Sequence, residues 1–344
     1  MDDQLGASGG NGNNGQDVAM TLAAITYCAD IKGALQQYLP DWQLVWLPDK
    51  DVNGNYAYIA RHKRASQYAV AIRGSLLDFS WAAFDNWFKQ DFNVFEQVDW
   101  TYPSSSQKPK ISQGSADGLN DLTSLVQTNP GGRTTMLQYL MANAVAQGAS
   151  IVVTGHSLGG NLTTVFAPWL LYQIKQAGKT PPTLFPVFTF AAPTAGNTAF
   201  AAAYDASFPN SWRYYNVLDI VPRGSMPSTV MTIGELYTPS PLASQISVTY
   251  DGVTLTFAEA IDAIAAAIGA SEIYPNGFSF YSQTNTKRGS VPLTPDSSYC
   301  PVTDKSDPLI EQWFEKAGCE HGHNTYLQLL GAKPVNCKQV LLTP

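Results

Sequence analysis

The segment from Ser150 to Lys175 constrains the fold of this chain more than any other part of the sequence. An apolar stretch, Ser150–Val153, leads into the motif GHSLG at residues 155–159, and apolar residues at helical spacing follow from Leu158 to Lys175. This order predicts a buried strand, a sharp turn that carries Ser157, and a helix. The positive end of the helix dipole would face Ser157, which suits a nucleophilic serine whose reaction develops a negatively charged oxygen.

The rest of the chain alternates between strand-like and helix-like stretches. Further strands are predicted at 43–47, 56–61, 68–73, 184–190 and 212–217, and helices at 17–38, 134–147, 257–268, 307–317 and 324–330. Residues 51–55 are DVNGN, and Asn-Gly between two strands favours a hairpin turn. The alternation indicates an α/β fold with a mainly parallel central sheet and flanking helices. The length of 344 residues and the apolar share of 44% fit a flexible lead at 1–16 and a single domain at 17–344.

A serine hydroxyl becomes a strong nucleophile only beside a base, and four histidines could supply it. They are His62, His156, His321 and His323. His156 adjoins Ser157 on the same turn and is expected to point away and pack, whereas His62 lies in the basic run RHKR and is expected at the surface. His321 and His323 remain, both just before a short predicted helix. A His-x-His pair can also bind a metal ion, but no third ligand with suitable spacing is nearby, so no metal site is predicted.

A base of this kind is oriented by a carboxylate, which should lie between the serine and the histidine in the sequence. The aspartates in that interval are Asp205, Asp219, Asp251, Asp262, Asp296, Asp304 and Asp307. Asp219 alone directly follows a predicted strand, in the run RYYNVLD. Loops at the carboxyl edge of the sheet build the sites of open α/β folds, so Asp219 is the favoured candidate.

Composition excludes several classes of function. The net charge of −7, from 20 basic and 27 acidic residues, argues against nucleic-acid binding, because phosphate contacts need clustered Lys and Arg. No apolar run reaches the roughly 18 residues of a transmembrane helix. The sequence does not open on a basic stretch followed by an apolar one, so a cytoplasmic location is the default expectation, with secretion if a signal was removed.

The cysteines leave the redox environment open. Cys300, Cys319 and Cys337 lie near the end of the chain, Cys28 lies near its start, and no CxxC pair occurs. One disulfide among the last three is expected for an exported protein, and buried free thiols are expected in a reducing cell.

Five motifs, in order, resemble those of the class 3 lipases, the fungal-type triacylglycerol lipases of the α/β-hydrolase fold. They are Arg73-Gly74-Ser75, GHSLGG at 155–160, Phe190-Ala191-Ala192-Pro193 with Gly196-Asn197 and Phe200, RYYNVLDIVP at 213–222, and His323-Asn324-Thr325-Tyr326. The resemblance covers roughly residues 17–223 and 305–332.

The resemblance implies specific roles for these residues. Ser157 would be the nucleophile, Asp219 the acid and His323 the base, so it favours His323 over His321. The backbone N–H groups of Ser75 and Leu158, with the Ser75 hydroxyl, would form the oxyanion hole. No cofactor is expected.

The resemblance also implies a helical lid over the site, at about residues 76–100, which opens at a lipid surface and so gives interfacial activation. The candidate substrate-contacting side chains of this lid are Leu76, Phe79, Trp81, Phe84, Trp87 and Phe88. An insertion at about 224–303 has no counterpart in the family. It is expected to be either a second cap over the acyl groove or a peripheral subdomain.

The expected function is hydrolysis of acylglycerols or other lipid esters through an acyl-enzyme, with a lipid–water interface as partner. A non-lipolytic feruloyl or short-chain esterase and a phospholipase are the alternatives, because their serine, histidine and aspartate would look alike in sequence. A non-catalytic lipid-binding protein with a relic triad is a third.

Overall fold

The structure, a computed structural model, describes residues 5–6, 15–76, 79–87, 93–102, 108–130, 132–274, 277–285, 289–296, 299–302 and 305–340. The helices in these residues are α1 (Gln16–Ile25), α2 (Ile31–Tyr38), α3 (Trp81–Asn86), α4 (Gln113–Ser124), α5 (Met136–Leu140, continued by a π-helical turn over Met141–Val145), α6 (Leu158–Gln176), α7 (Thr198–Ser207), α8 (Pro227–Val230), α9 (Phe257–Ser271), α10 (Leu309–His321) and α11 (His323–Leu329). The strands are β1 (Trp42–Trp46), β2 (Ala57–His62), β3 (Gln67–Ile72), β4 (Gln97–Asp99), β5 (Lys110–Ser112), β6 (Val126–Asn129), β7 (Gly132–Thr135), β8 (Ser150–His156), β9 (Val187–Phe190), β10 (Ser211–Asn216), β11 (Ser247–Tyr250), β12 (Val253–Thr256), β13 (Ile273–Tyr274), β14 (Gly277–Phe278) and β15 (Ser290–Leu293).

A seven-stranded central sheet organises the molecule in the order β1-β2-β3-β8-β9-β10-β15. Strands β1 to β3 pair antiparallel, and every pair from β3 onwards is parallel. The predicted hairpin turn lies between β1 and β2, where Asn53 and Gly54 both have positive φ, 49° and 78°. The prediction of an α/β fold with a mainly parallel sheet is confirmed.

Helices cover both faces of the sheet, which is why β3 and β8 are buried along their whole length. On one face, Ala69 and Ala71 of β3 pack in a core cluster with α1, and on the other, Val70 and Ile72 pack in a cluster with α4 and α6. The carboxyl ends of the parallel strands therefore meet at one edge between the two helix layers.

The helix predicted over 17–38 is wrong as a single element, because the chain breaks between α1 and α2. Backbone groups in the break pair with the C-terminal segment instead of continuing the helix: Ala29 N–H donates to the Lys338 carbonyl, and Val340 N–H to the Tyr27 carbonyl. The break thus places Tyr27 and Cys28 outside regular helix, against the C-terminal segment at Lys338–Val340.

The helix predicted from Leu76 through Trp100 is also shorter than expected. The described part contains α3, whose N-terminus is capped by Ser80 Oγ accepting from Ala83 N–H, and then β4, which pairs with β5. Residues 77–78 and 88–92, including the candidate Phe88, lie outside the described residues.

The insertion at about 224–303 packs against this aromatic segment and does not stand apart. Its strand β15 joins the central sheet beside β10, and its helix α9 starts at Phe257, as predicted, behind a Thr256–Glu259 capping box. Side chains of the insertion share one core cluster with Phe84 and Trp87 of the lid segment and with α10.

All four cysteines form disulfides, Cys28–Cys337 and Cys300–Cys319, so the expectation of buried free thiols is wrong. The predicted lead at 1–16 lies mostly outside the described residues. Its Leu5, however, is buried and exchanges two hydrogen bonds with the Gln67 side chain, which departs from a wholly flexible lead. No helix within the described ranges is long and apolar enough to cross a membrane.

Candidate active site

Ser157 occupies a strained turn between β8 and α6, as the sequence predicted. Its backbone has φ 61° and ψ −131°, a conformation that L-residues rarely adopt and that surrounding packing must hold. Ser157 N–H donates to the Phe190 carbonyl at 2.9 Å. Gly159 is required beside it, since a Cβ there would come within 2.2 Å of the Ile72 carbonyl oxygen. The turn therefore presents the serine hydroxyl at the carboxyl edge of the sheet.

Ser157, His321 and Asp219 form one buried chain of hydrogen bonds. His321 Nε2 lies 2.8 Å from Ser157 Oγ, and His321 Nδ1 lies 2.9 Å from Asp219 Oδ2. The relative exposures of the three residues are 1%, 3% and 0%. Nδ1–H donates to the carboxylate, which leaves Nε2 as the acceptor for the serine proton.

The prediction of His323 as the base is wrong, because the structure places His321 against Ser157. His321 ends α10, Gly322 turns the chain, and His323 begins α11 with its ring stacked on Tyr27, 5.1 Å between ring centroids. Burial lowers the pKa of His323 to about 4.

Asp219 lies where the sequence predicted it, just after β10, with both carboxylate oxygens hydrogen-bonded. Its carboxylate accepts hydrogen bonds from His321, from the Tyr326 hydroxyl at 2.8 Å and from Val221 N–H at 2.9 Å. A buried carboxylate without such donors would be costly. Tyr326 belongs to the motif that the sequence comparison singled out, but no site role was predicted for it, and the same motif pointed to the wrong histidine.

The two candidate oxyanion donors flank the serine. Ser75 follows β3, and its buried Oγ has no hydrogen-bond partner among the described residues. Leu158 is the first residue of α6, where backbone N–H groups have no acceptor within the helix. Donors left free in this way are available to a ligand oxygen.

A cavity of about 450 Å³ adjoins the hydrogen-bonded chain. Its described lining consists of apolar, polar and histidine side chains and glycines: Tyr27, Ser75, Leu76, Phe79, His156, Gly318, His321, Gly322, His323, Gln339 and Val340. No Lys, Arg, Asp or Glu belongs to that lining. In the part of the chain that the structure describes, no group of three His, Cys, Asp or Glu side chains could hold a metal ion.

The candidate lid residues divide into two groups. Leu76 and Phe79 line the cavity, and the Phe79 ring centroid is 5.5 Å from that of His321. Trp81, Phe84 and Trp87 pack toward the insertion and do not line the cavity. Trp81 Nε1–H donates to the Thr249 carbonyl at 2.7 Å, which joins α3 to β11.

His156 packs in the interior, as expected, whereas the expected surface position of His62 is wrong and one residue was missed. His156 is buried and hydrogen-bonded at both ring nitrogens, to Tyr27 and to the His321 carbonyl. His62 is only 4% exposed, and its Nδ1 accepts from Ala65 N–H. Tyr27 was hidden inside the predicted first helix, where no sequence signal distinguished it.

Comparisons with known proteins find lipases. A family model described as lipase (class 3) matches residues 69–229. The crystal structure of M37 lipase is 26% identical in sequence, with coverage of 92% of this chain and 91% of that chain and a TM-score of 0.68. Lipase ZK262.3 of Caenorhabditis elegans is 37% identical over 105 residues, which are 30% of this chain and 27% of that protein.

Residues 69–229 are similar to the class 3 lipases, and the fold of the chain is that of the α/β-hydrolases. The matched region holds most of β3, the Ser157 turn and Asp219, whereas His321 lies outside it. The chain spans little more than a quarter of the length of the curated relative that it matches.

Proposed function

We propose that this protein is a lipase that hydrolyses acylglycerol esters through an acyl-enzyme, with Ser157 as nucleophile, His321 as base and Asp219 as the orienting acid. The observation that carries the proposal is the buried hydrogen-bonded chain from Ser157 Oγ through His321 to Asp219. The match of residues 69–229 to the class 3 lipase model and the free Ser75 hydroxyl beside the chain support it.

The first half of the reaction forms the acyl-enzyme. Ser157 Oγ attacks the ester carbonyl carbon while His321 Nε2 takes its proton, and the Asp219 carboxylate stabilises the imidazolium. The N–H groups of Ser75 and Leu158, with the Ser75 hydroxyl, donate to the tetrahedral oxyanion. Collapse of the intermediate breaks the bond to the alcohol oxygen, which takes the proton from His321.

The second half releases the acid. A water molecule loses a proton to His321 Nε2 and attacks the acyl carbon, and a second oxyanion forms in the same place. Its collapse breaks the bond to Ser157 Oγ, which recovers the proton from His321, and the carboxylic acid leaves.

The uncharged cavity lining supports neutral acylglycerols over phospholipids as substrates. A phosphodiester headgroup is expected to be met by Lys or Arg, and neither lines the described cavity. Initial rates on tributyrin, phosphatidylcholine and ethyl ferulate, at equal ester concentration, separate the lipase from the phospholipase and feruloyl esterase alternatives. Faster hydrolysis of either of the last two would reassign the substrate.

We also propose that the lid segment and the insertion act as one two-part cap. Ser157 is 1% exposed, and Trp81, Phe84 and Trp87 bind the lid to the insertion core. A cap of this kind must open for a large ester to enter, which would give faster hydrolysis once a substrate exceeds its solubility. A linear rate across the solubility limit would contradict the cap.

The two disulfides support an oxidising compartment over the cytoplasm as the location of the protein. Thiol alkylation of the protein taken directly from its cells, followed by mass measurement, should find no modified cysteine. Four alkylated thiols would favour the cytoplasm.

Ser157→Ala tests the whole proposal. The variant should fold like the wild type and lose both hydrolysis of p-nitrophenyl esters and labelling by a fluorophosphonate, since both need the serine oxygen. Absence of labelling in the wild-type protein would instead support a lipid-binding protein with a relic triad.

A further inference from the structure

A second chain of buried hydrogen bonds lies behind the proposed catalytic residues. The Tyr27 hydroxyl lies 3.0 Å from His156 Nδ1, and His156 Nε2 lies 2.8 Å from the backbone carbonyl oxygen of His321. His156 immediately precedes Ser157, and His321 is the proposed base. The chain therefore connects the nucleophile's turn to the base through a path that does not use Asp219.

The direction of these hydrogen bonds follows from their chemistry. A carbonyl oxygen only accepts, so His156 Nε2 carries the proton and donates to His321. Burial, with the nearby rings of His321 and His323, holds the pKa of His156 well below its usual range, so the ring is neutral. Nδ1 is then an acceptor, and the Tyr27 hydroxyl donates to it.

The hydrogen bond from His156 to the His321 carbonyl satisfies an acceptor at the C-terminal end of α10. The last carbonyls of a helix have no partner within it, and buried ones require another donor. Here Asn216 Nδ2–H donates to the Glu320 carbonyl, and His156 Nε2–H donates to the His321 carbonyl. The end of α10, and with it the His321 ring, is thus located by side chains from the carboxyl edge of the sheet.

Tyr27 is itself held from several sides. Its backbone carbonyl accepts from Val340 N–H, its ring stacks on His323, and the next residue, Cys28, is joined to Cys337. Its hydroxyl also touches the loop of the proposed oxyanion hole: a Cβ on Gly74 would lie 2.3 Å from the Tyr27 oxygen. Only glycine permits that approach.

We propose that Tyr27 and His156 are positioning residues that hold the oxyanion loop, the nucleophile's turn and the end of α10 in register. The assignment rests on the proposed function. Because Tyr27 Oη meets Gly74 and His156, and His156 meets the His321 backbone, one hydroxyl and one ring fix the relative placement of the three parts that must act on one ester.

Tyr27→Phe tests the role of the hydroxyl, because it keeps the ring on His323 and removes only Oη. We expect kcat on p-nitrophenyl butyrate to fall about 10-fold with KM changed less than about twofold, since small misplacements of reacting groups lower turnover steeply. The rate of fluorophosphonate labelling should fall in parallel. The 15N shifts of the His156 ring should also change, reporting the lost bond to Nδ1.

Tyr58→Phe is the matched control. The Tyr58 hydroxyl is also buried in the core beside α1, and it donates to the Leu22 carbonyl at 2.9 Å, away from the site. It should cost a similar loss of thermal stability and leave kcat unchanged. Equal kcat losses in Tyr27→Phe and Tyr58→Phe would reduce Tyr27 to an ordinary core residue and overturn the proposal.

His156→Gln and His156→Leu test the donor to His321 independently. A Gln amide can still donate to the His321 carbonyl, whereas Leu cannot, so kcat should fall much less for Gln than for Leu. Equal losses of kcat in His156→Gln and His156→Leu would overturn the role of His156. This comparison remains available if Tyr27→Phe fails to fold. Unaltered kcat in these variants, with normal fluorophosphonate labelling of the wild type, would reject the positioning role and leave the proposed function intact. Absence of labelling in the wild type would reject the proposed function itself.

Discussion

At the scale of single residues, the two histidines near the end of the chain have different surroundings because the chain turns between them at Gly322. His321 lies between Ser157 and Asp219, while His323 lies against Tyr27. The sequence identified Ser157 from its strand–turn–helix context and Asp219 from its place after a strand. It could not choose the histidine, because the choice depends on where α10 ends.

The burial of His323 gives a prediction for stability against pH. Its pKa is about 4 in the folded protein against an ordinary value of 6.5, so the unfolded chain binds a proton at higher pH than the folded one. The free energy of unfolding should therefore fall as pH drops from about 6.5 to 4, and His323 should contribute at most about 3 kcal/mol to that fall. His156, lowered in the same direction, adds to it.

Urea unfolding of the wild type and His323→Gln at pH 7 and pH 4.5 measures the contribution of His323. The variant should lose less stability between these two pH values than the wild type. Equal losses in the two proteins would mean that His323 titrates normally in the folded state.

At the scale of elements, the sequence predicted β3, β8, β9, β10, α6 and α9, because their apolar patterns are local signals, but it did not predict the parallel strand β15. It missed the break after α1, where pairing with Lys338 and Val340 outweighs helical periodicity. It also extended a helix across the aromatic segment, where the burial of Phe84 and Trp87 depends on contacts with the distant insertion. Long-range packing of this kind leaves no local pattern.

The link between α3 and the insertion gives a prediction for activity. Trp81→Phe removes the hydrogen bond from Nε1 to the Thr249 carbonyl but keeps a ring against Phe257. Loss of a bond worth about 1 kcal/mol in the closed form should raise the rate on dissolved esters by about two- to fivefold.

Trp212→Phe, at the opposite end of β10 from Asp219, is the control and should leave that rate unchanged. The comparison uses kcat/KM on p-nitrophenyl butyrate below its solubility limit. A lower rate in Trp81→Phe than in the control would indicate that the bond supports the active form and does not hold the cap closed.

At the scale of the whole molecule, the two disulfides tie distant parts of the chain to the site. Cys28–Cys337 joins the break beside Tyr27 to the C-terminal segment, across 309 residues of sequence. Cys300–Cys319 joins the end of the insertion to α10, across 19 residues. The sequence left one bridge near the end of the chain as an alternative to free thiols, and spacing could not reveal a partner at its start.

The difference in loop length gives a prediction for stability. Paired Ser substitutions at Cys28 and Cys337 should lower the free energy of unfolding by about 6 kcal/mol, against about 3 kcal/mol for Cys300 and Cys319, on the chain-entropy model. Denaturant titration of both double variants checks the order. A larger loss from the shorter loop would show that native contacts, and not the unfolded chain, dominate.

The central claim is that His321 activates Ser157, and one pair of variants tests it most directly. We expect His321→Ala to lower kcat/KM on p-nitrophenyl butyrate by about 10⁴-fold or more, because the serine loses its base. His323→Ala removes a ring that lines the cavity and stacks on Tyr27 but does not bond Ser157, so it should lower kcat/KM less than about tenfold. A large loss in His323→Ala with activity retained in His321→Ala would contradict the account and make His323 the base.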